Sequence, residues 1–244
     1  MQESRKTVFI TGSSRGIGLA IAKLFAKNGY AVALNASKNE TALLDAKKEC
    51  ESFGVPVLTY LGDISSETFV KTAIADIYHH WHHIDVLINN AGVSYIGLLT
   101  DMSSEEWHNI INTNLSSLFY TCHEVVPHMV RAQQGHIINI SSIWGNTGAS
   151  CEVAYSASKG GVNLFTKALA KELAPSNIAV NAISCGVIDT SMNQFLNEEE
   201  RQELADEIPA GRFGTTEEVA ALAYQLAAST SYLTGQIIGL DGGF

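Results

Sequence analysis

The stretch Thr7–Gly18, "TVFITGSSRGIG", decides how the rest of the chain is read. A short β-branched and aromatic run ends in a turn containing Gly12, Gly16 and Gly18, and a helix-period segment, "IGLAIAKLFAKNG", begins at once. Glycines at such a turn let the backbone bend tightly and approach a pyrophosphate, whose charge then rests on the N-terminus of the following helix. The spacing here is GxxxGxG, which differs from the GxGxxG of the usual dinucleotide fingerprint. The turn means little alone; the strand before it and the helix after it supply the context that a phosphate site needs.

Working outward, the same alternation organises the whole chain. Short apolar runs recur at "AVALN" (31–35), "VPVLTYL" (55–61), "IDVLIN" (84–89), "GHIINIS" (135–141), "IAVNAIS" (178–184) and "GQIIGL" (235–240). Helix-period stretches such as "ETALLDAKKECESFG" and "GGVNLFTKALAKELA" lie between them. Strand and helix taking turns predicts an α/β fold, a doubly wound parallel sheet of about seven strands with helices on both faces. The 244 residues fit a single domain, 1–244, and no linker, repeat or low-complexity run divides them.

Helix ends are signalled locally. Ser103 with Glu106 and Thr215 with Glu218 fit capping boxes, Gly29 and Gly54 follow two early helices, and Pro175 stops a later one. One segment breaks the rhythm: Ile188 to Gly214 inserts about one extra amphipathic helix, and an insertion of that length in a compact fold predicts a substrate lid.

Composition narrows the function. With 15 Lys+Arg against 25 Asp+Glu the formal charge is −10, and no basic stripe occurs, which argues against nucleic acid or an anionic membrane as partner. The opening "MQESRKTVFITG" is too brief for a signal-peptide core or a membrane span, so a cytoplasmic location is expected. Cys50, Cys122, Cys151 and Cys185 are scattered without a CxxC pair and read as free thiols. The run "HHWHH" (79–83) places two histidines at i, i+4, short of the four ligands a structural zinc site usually needs; a solvated helix end is expected, and no metal.

The remaining polar clusters fall after the predicted strands. Asn35, Ala36, Ser37 and Lys38 close the second strand without the carboxylate that selects a free ribose 2′-hydroxyl. Arg15 in the glycine turn and Lys38 offer charges for a 2′-phosphate, which favours NADP(H) over NAD(H). Asp63 follows the third strand, "NNAG" (89–92) the fourth, Ser141 and Ser142 the fifth, and Cys185 and Gly186 the sixth. Open parallel sheets bind ligands at that edge.

Finally, "YSASK" sets Tyr155 and Lys159 one helical turn apart, on one face. With TGxxxGxG, NNAG, the Asn of "NTNL", a Ser after the fifth strand and YxxxK, the chain resembles the short-chain dehydrogenase/reductase family along essentially its whole length. The resemblance implies a Rossmann-like fold and a catalytic tetrad of Asn114, Ser142, Tyr155 and Lys159. In it Tyr155 exchanges a proton with the carbonyl oxygen, Ser142 hydrogen-bonds that oxygen, and Lys159 lowers the pKa of the phenol. Asn114 would hold a water leading to solvent. The implied dinucleotide contacts are Gly12, Ser14, Arg15, Gly16, Ile17, Gly18, Asn35, Ser37, Lys38, Asp63, Asn90, Gly92, Tyr155, Lys159, Gly186, Ile188 and Thr190.

Where the family has Pro-Gly after the sixth strand, this chain has Cys185-Gly186, which is expected to free the backbone there and to make activity thiol-sensitive. The tail "PAGRFGTTEEVA" and the segment "WHNIINTNLSSLF" are similar to 3-oxoacyl-[acyl-carrier-protein] reductases, implying a ketone on an acyl carrier protein and a homotetramer. Gln133, Gln134 and Ser176 stand where those reductases tend to carry basic docking residues, leaving Arg131 and Lys171. The segment "GASCEVAYS" also resembles reductases of a 5-aminopentanone modification on elongation factor P. A non-catalytic dinucleotide sensor on the same fold is a remote alternative.

Overall fold

Each of the seven short runs becomes a strand: β1 (Thr7–Ile10), β2 (Ala31–Ala36), β3 (Val57–Leu61), β4 (Val86–Asn89), β5 (Gly135–Ser142), β6 (Ile178–Cys185) and β7 (Ile237–Leu240). The computed structural model describes residues 5–193 and 196–244. All pairings are parallel, in the order β3-β2-β1-β4-β5-β6-β7. The order reverses between β1 and β4, so their C-terminal ends open the crevice where such sheets bind ligands.

Both faces of the sheet are covered, which explains runs that are apolar throughout instead of alternating with polar residues. Successive side chains point to opposite faces. Val8, Ile10, Val32, Leu34, Val86 and Ile88 enter one core with α1 (Gly16–Lys27), α2 (Glu40–Glu51) and α9 (Thr216–Ala227). Phe9, Ala33, Leu87, Ile137 and Val180 enter the other, against α3 (Glu67–Trp81), α5 (Ser117–Ala132) and α7 (Val153–Leu173). Between these lie α4 (Ser104–Ile111), a one-turn α6 (Trp144–Thr147) and α8 (Glu198–Glu207).

The second face carries a buried polar ladder that the apolar reading of the strands passes over. Thr121 Oγ1 donates to Asn89 Oδ1 (2.7 Å), Asn89 Nδ2 to Asn139 Oδ1 (2.9 Å), and Asn139 Nδ2 to Thr166 Oγ1 (2.8 Å). The ladder runs from α5 across β4 and β5 to α7, with its members satisfying one another, as buried polar groups must. It fixes how the two long helices sit on the sheet, and α7 carries Tyr155 and Lys159.

Both expected capping boxes form, at Ser103/Glu106 and Thr215/Glu218, and a third at Asn197/Glu200 starts α8. The histidine run ends α3, with His79, His80 and His82 exposed and His82 in the left-handed region at φ 65°. The helical stretch through "NTNL" is not a regular α-helix. Asn112–Ser116 forms one wide π turn between α4 and α5, a distortion that commonly accompanies functional sites.

Candidate active site

The turn after β1 is held by its neighbours. Thr11 Oγ1 accepts the N–H groups of Asn90 and Ala91 (3.0 Å each), and Asn90 Nδ2 donates to the carbonyls of Thr11 and Gly12 (2.9 Å each). Gly12 has φ 62°, and a Cβ there would lie 2.8 Å from Ala91 Cα, so no side chain fits. Asn90 therefore braces the turn; its amide hydrogens are not available to a ligand.

Asn35 is a correction of the same kind. It is 2% exposed, accepts from Gly12 N–H (3.2 Å) and donates to the carbonyls of Tyr60 (3.2 Å) and Gly62 (3.0 Å). Its carboxamide ties the glycine turn to the end of β3 and does not face the crevice. The sequence could not distinguish these roles, because both place an amide at a strand end.

The turn fits a dinucleotide pyrophosphate. No side chain caps α1 and no acid lies in its first turn, so its free amides and positive dipole end are left for an anion. Ser14, Gly16 and Ile17 border it and Gly18 lies beneath, where a Cβ would sit 2.4 Å from Gly12 O. Arg15, Ser37 and Lys38 are exposed at the adjoining ends of β1 and β2, and neither cation forms an ion pair among the described residues. Asp63 is exposed beyond β3, with Oδ1 accepting Ser65 N–H at 2.9 Å.

On the other side of the crevice, β6 leads into Gly186, Ile188 and Thr190. Thr190 Cγ2 lies 3.7 Å from the place a Cβ on Gly16 would take, so this segment crosses the phosphate turn. The base of the 188–214 insertion is stitched to itself: Asp189 N–H donates to Gly214 O (2.8 Å), Gly214 N–H to Val187 O (2.9 Å), and Arg212 pairs with both oxygens of Glu218 (3.0 and 2.7 Å). Gln194 and Phe195, within the expected lid, lie outside the described residues.

Cys185 does not free the backbone, contrary to expectation. It ends β6 in register with Ser142 and Leu240, its carbonyl accepts Ile143 N–H (3.0 Å), and Gly186 N–H donates to Leu240 O (3.0 Å). Neighbouring strands fix what a proline ring would otherwise fix. The thiol is 5% exposed and burial pushes it up to about 12, so it carries almost no thiolate at neutral pH. The expected thiol sensitivity loses its basis at this residue.

Asn114, Ser142, Tyr155 and Lys159 converge at the same edge. A Cβ on Gly92 would lie 3.4 Å from Asn114 Oδ1 and 3.6 Å from Lys159 Nζ, so both side-chain ends rest over that glycine. Asn114, inside the π turn, accepts Val93 N–H (2.8 Å) and donates to Val93 O (2.8 Å) and Ser158 Oγ (3.0 Å). Both its amide hydrogens are occupied in joining the loop after β4 to α7, and one Oδ1 lone pair is left for a water. Ser158, which the sequence did not single out within "YSASK", is the partner on α7.

Lys159 is 4% exposed, donates to Ile140 O at 2.8 Å, and has Nζ 5.6 Å from the Tyr155 ring centroid. Burial lowers its pKa to about 8, partly offset by Cys185. Tyr155 differs from expectation: burial raises its pKa, the hydrogen bond with Ser142 lowers it by less, and Cys185 and Glu152 raise it further. The ammonium expected to stabilise a phenolate is itself dry and anchored to a main-chain carbonyl. At neutral pH Tyr155 is therefore a protonated acid beside a second hydroxyl, an arrangement that can deliver a proton to a carbonyl oxygen.

Comparison with known proteins agrees with this geometry. The family model for short chain dehydrogenases matches residues 6–201. This chain belongs to the short-chain dehydrogenase family. It is an oxidoreductase of that family, similar to the 3-oxoacyl-[acyl-carrier-protein] reductases of Chlamydia trachomatis (42% identity, 98% of this chain and 96% of that one) and Thermotoga maritima (40%, 100% and 99%). It is also 39% identical to the Bacillus subtilis oxidoreductase YmfI, described as uncharacterized, over 98% of each. Among solved structures, an Agrobacterium tumefaciens protein assigned as a gluconate dehydrogenase superposes with TM-score 0.92 at 32% identity, covering 98% of this chain and 95% of its own. No helix among the described residues of this dehydrogenase is long and apolar enough to cross a membrane.

Proposed function

We propose that the protein reduces the ketone of a 3-oxoacyl thioester on acyl carrier protein, using NADPH. The observation that carries the reading is the convergence of a protonated Tyr155, Ser142 and Lys159 beside a phosphate-binding turn, in a chain whose whole length matches reductases of that name. The bound dinucleotide supplies the hydride. Tyr155 protonates the carbonyl oxygen, Ser142 donates a hydrogen bond to the charge developing there, and Lys159 holds a positive charge behind the phenol. Asn114 fixes the loop that floors the site.

Among the described residues Arg15 and Lys38 have no carboxylate to neutralise them, and they would pair with a 2′-phosphate. The test is dinucleotide oxidation with a 3-oxoacyl thioester. NADPH should exceed NADH at least about tenfold in kcat/KM, the gap closing in Arg15→Ala/Lys38→Ala, with slower hydrogen exchange in 188–214 on NADPH binding, since Thr190 lies over the phosphate turn. Equal use of both dinucleotides by the unaltered protein counts against the NADPH reading. Thioester turnover lost in all conditions counts against the substrate.

Docking of an acidic carrier would fall to Arg131 and Lys171, exposed near the ends of α5 and α7, because a protein of charge −10 offers no general attraction. A homotetramer built on the long helices accounts for Phe119 on α5 and Leu164 on α7, 53% and 70% exposed. Sedimentation should give four times the chain mass, and Leu164→Glu a smaller species; a monomer throughout would rule the assembly out.

A further inference from the structure

Glu152 plays no part in the mechanism above, yet it stands three residues before Tyr155. It is the N-cap residue of α7, and Tyr155 is the third residue of that helix, so the two side chains start from positions that face each other in a capping box. Glu152 makes no capping bond: its side chain accepts from no helix amide, and its carboxylate has no hydrogen-bond or ion-pair partner among the described residues. It is half-buried nonetheless, and burial raises its pKa above the ordinary carboxylate value. Its charge also reaches the phenol, raising Tyr155.

A partly dry, unpaired carboxylate costs folding free energy wherever it sits. The other charged or titratable groups of the site and of the 188–214 insertion do not relieve it. The Lys159 ammonium is buried and bonded to Ile140 O, and Cys185 is a protonated thiol. Arg201 and Arg212 of the insertion are paired with Asp189 and Glu218. The Trp144 indole, on α6, meets the Phe244 ring edge-on at 5.8 Å. The main-chain N–H of Trp144 donates to Ser142 Oγ (3.2 Å), so this ring pair follows directly on Ser142.

We infer that Glu152 sets the charge selectivity of the substrate cleft: it admits neutral ketones, disfavours ketones whose chain carries an anion, and favours those whose chain carries a cationic nitrogen. The inference rests on the reading of Tyr155 and Ser142 as the carbonyl-activating pair, and not on the acyl carrier. A neutral thioester passes such a filter, and a substrate with an ammonium group completes the pair that Glu152 lacks.

The test uses three methyl ketones of equal chain length ending in trimethylammonium, its neutral tert-butyl isostere, and carboxylate, assayed with NADPH on the whole protein and on Glu152→Gln. The unaltered protein should prefer the cation over the neutral ketone about tenfold and the neutral ketone over the anion about as much, chiefly in KM. In Glu152→Gln the three should fall within about threefold, with a melting temperature no lower than that of the unaltered protein excluding misfolding as the cause. The same ketones are titrated calorimetrically onto the NADP+-loaded protein. A charge preference in binding that vanishes in Glu152→Gln supports the inference even where no ketone is reduced, a result that would count against the reductase reading alone. The same charge order in both proteins, or none in either, overturns the inference.

Discussion

Substituting Tyr155→Phe should lower reduction of a 3-oxoacyl thioester by about 10³-fold while the dinucleotide still binds. The variant keeps the ring, and with it the packing at the start of α7, and removes only the proton that the carbonyl oxygen takes up. Ser142 alone would then face a developing alkoxide in a site dry enough to raise the phenol and lower the lysine. Single-turnover loss of NADPH absorbance measures the chemical step, and NADPH fluorescence titration measures binding. Turnover within tenfold of the unaltered protein would remove Tyr155 from the reaction.

Lys159→Met should separate activity from stability in opposite directions. A buried ammonium held at about 8 against 10.5 in the unfolded chain means that below pH 8 both states carry the proton and the folded protein bears the full cost of burying it. Between pH 8 and 10.5 the unfolded chain binds more protons, so stability rises with pH there. The shift corresponds to about 3 kcal/mol. Loss of the charge-assisted bond to Ile140 O takes back part of it, so methionine, which fills much the same space, should stabilise the protein at pH 7 by about 1–3 kcal/mol. Activity should fall by about 10²–10³-fold, as when one electrostatic partner of a transition state is removed. Urea denaturation at pH 7 and pH 10 reads the first effect, and the variant's advantage should shrink at the higher pH. In the unaltered protein, kcat/KM for the dinucleotide should decline above about pH 8 as Lys159 loses its proton. A variant less stable than its parent at pH 7 would show that the ammonium is not a burden on the fold.

These two expectations concern the same pair of residues, and the way they were found differs. The spacing of Tyr155 and Lys159 was legible because an α-helix places i and i+4 on one face wherever it lies. What the pair does to each other's protonation was not, because it depends on how dry each group is and on what else bonds it. The carbonyl of Ile140, in a strand nineteen residues away, holds the ammonium, and Cys185, in the next strand, pushes both pKa values up.

All seven strands were visible in the sequence, since a sheet covered on both faces needs runs that are apolar throughout, and period-3.6 segments must lie between parallel strands. The capping boxes at Ser103 and Thr215 were equally local, requiring only residues three apart. By contrast, Asn35 and Asn90 read as ligand contacts and proved to be braces, because an amide at a strand end looks the same whether its partner is a ligand or a distant carbonyl. Cys185 read as a loosened backbone and proved to be held by strands on either side, a constraint that sequence neighbours do not carry.

The sequence by itself determined the alternation, the positions of the strands and helices, and which residues reach the C-terminal edge of the sheet, because these follow from periodicity and local backbone preference. Only the tertiary structure decided which of those residues face the crevice, which brace it, and that Glu152, three residues before the phenol, is left without a partner among the described residues. Hydrogen-bond completion and desolvation are set by groups far apart in the chain and meet only in the folded protein.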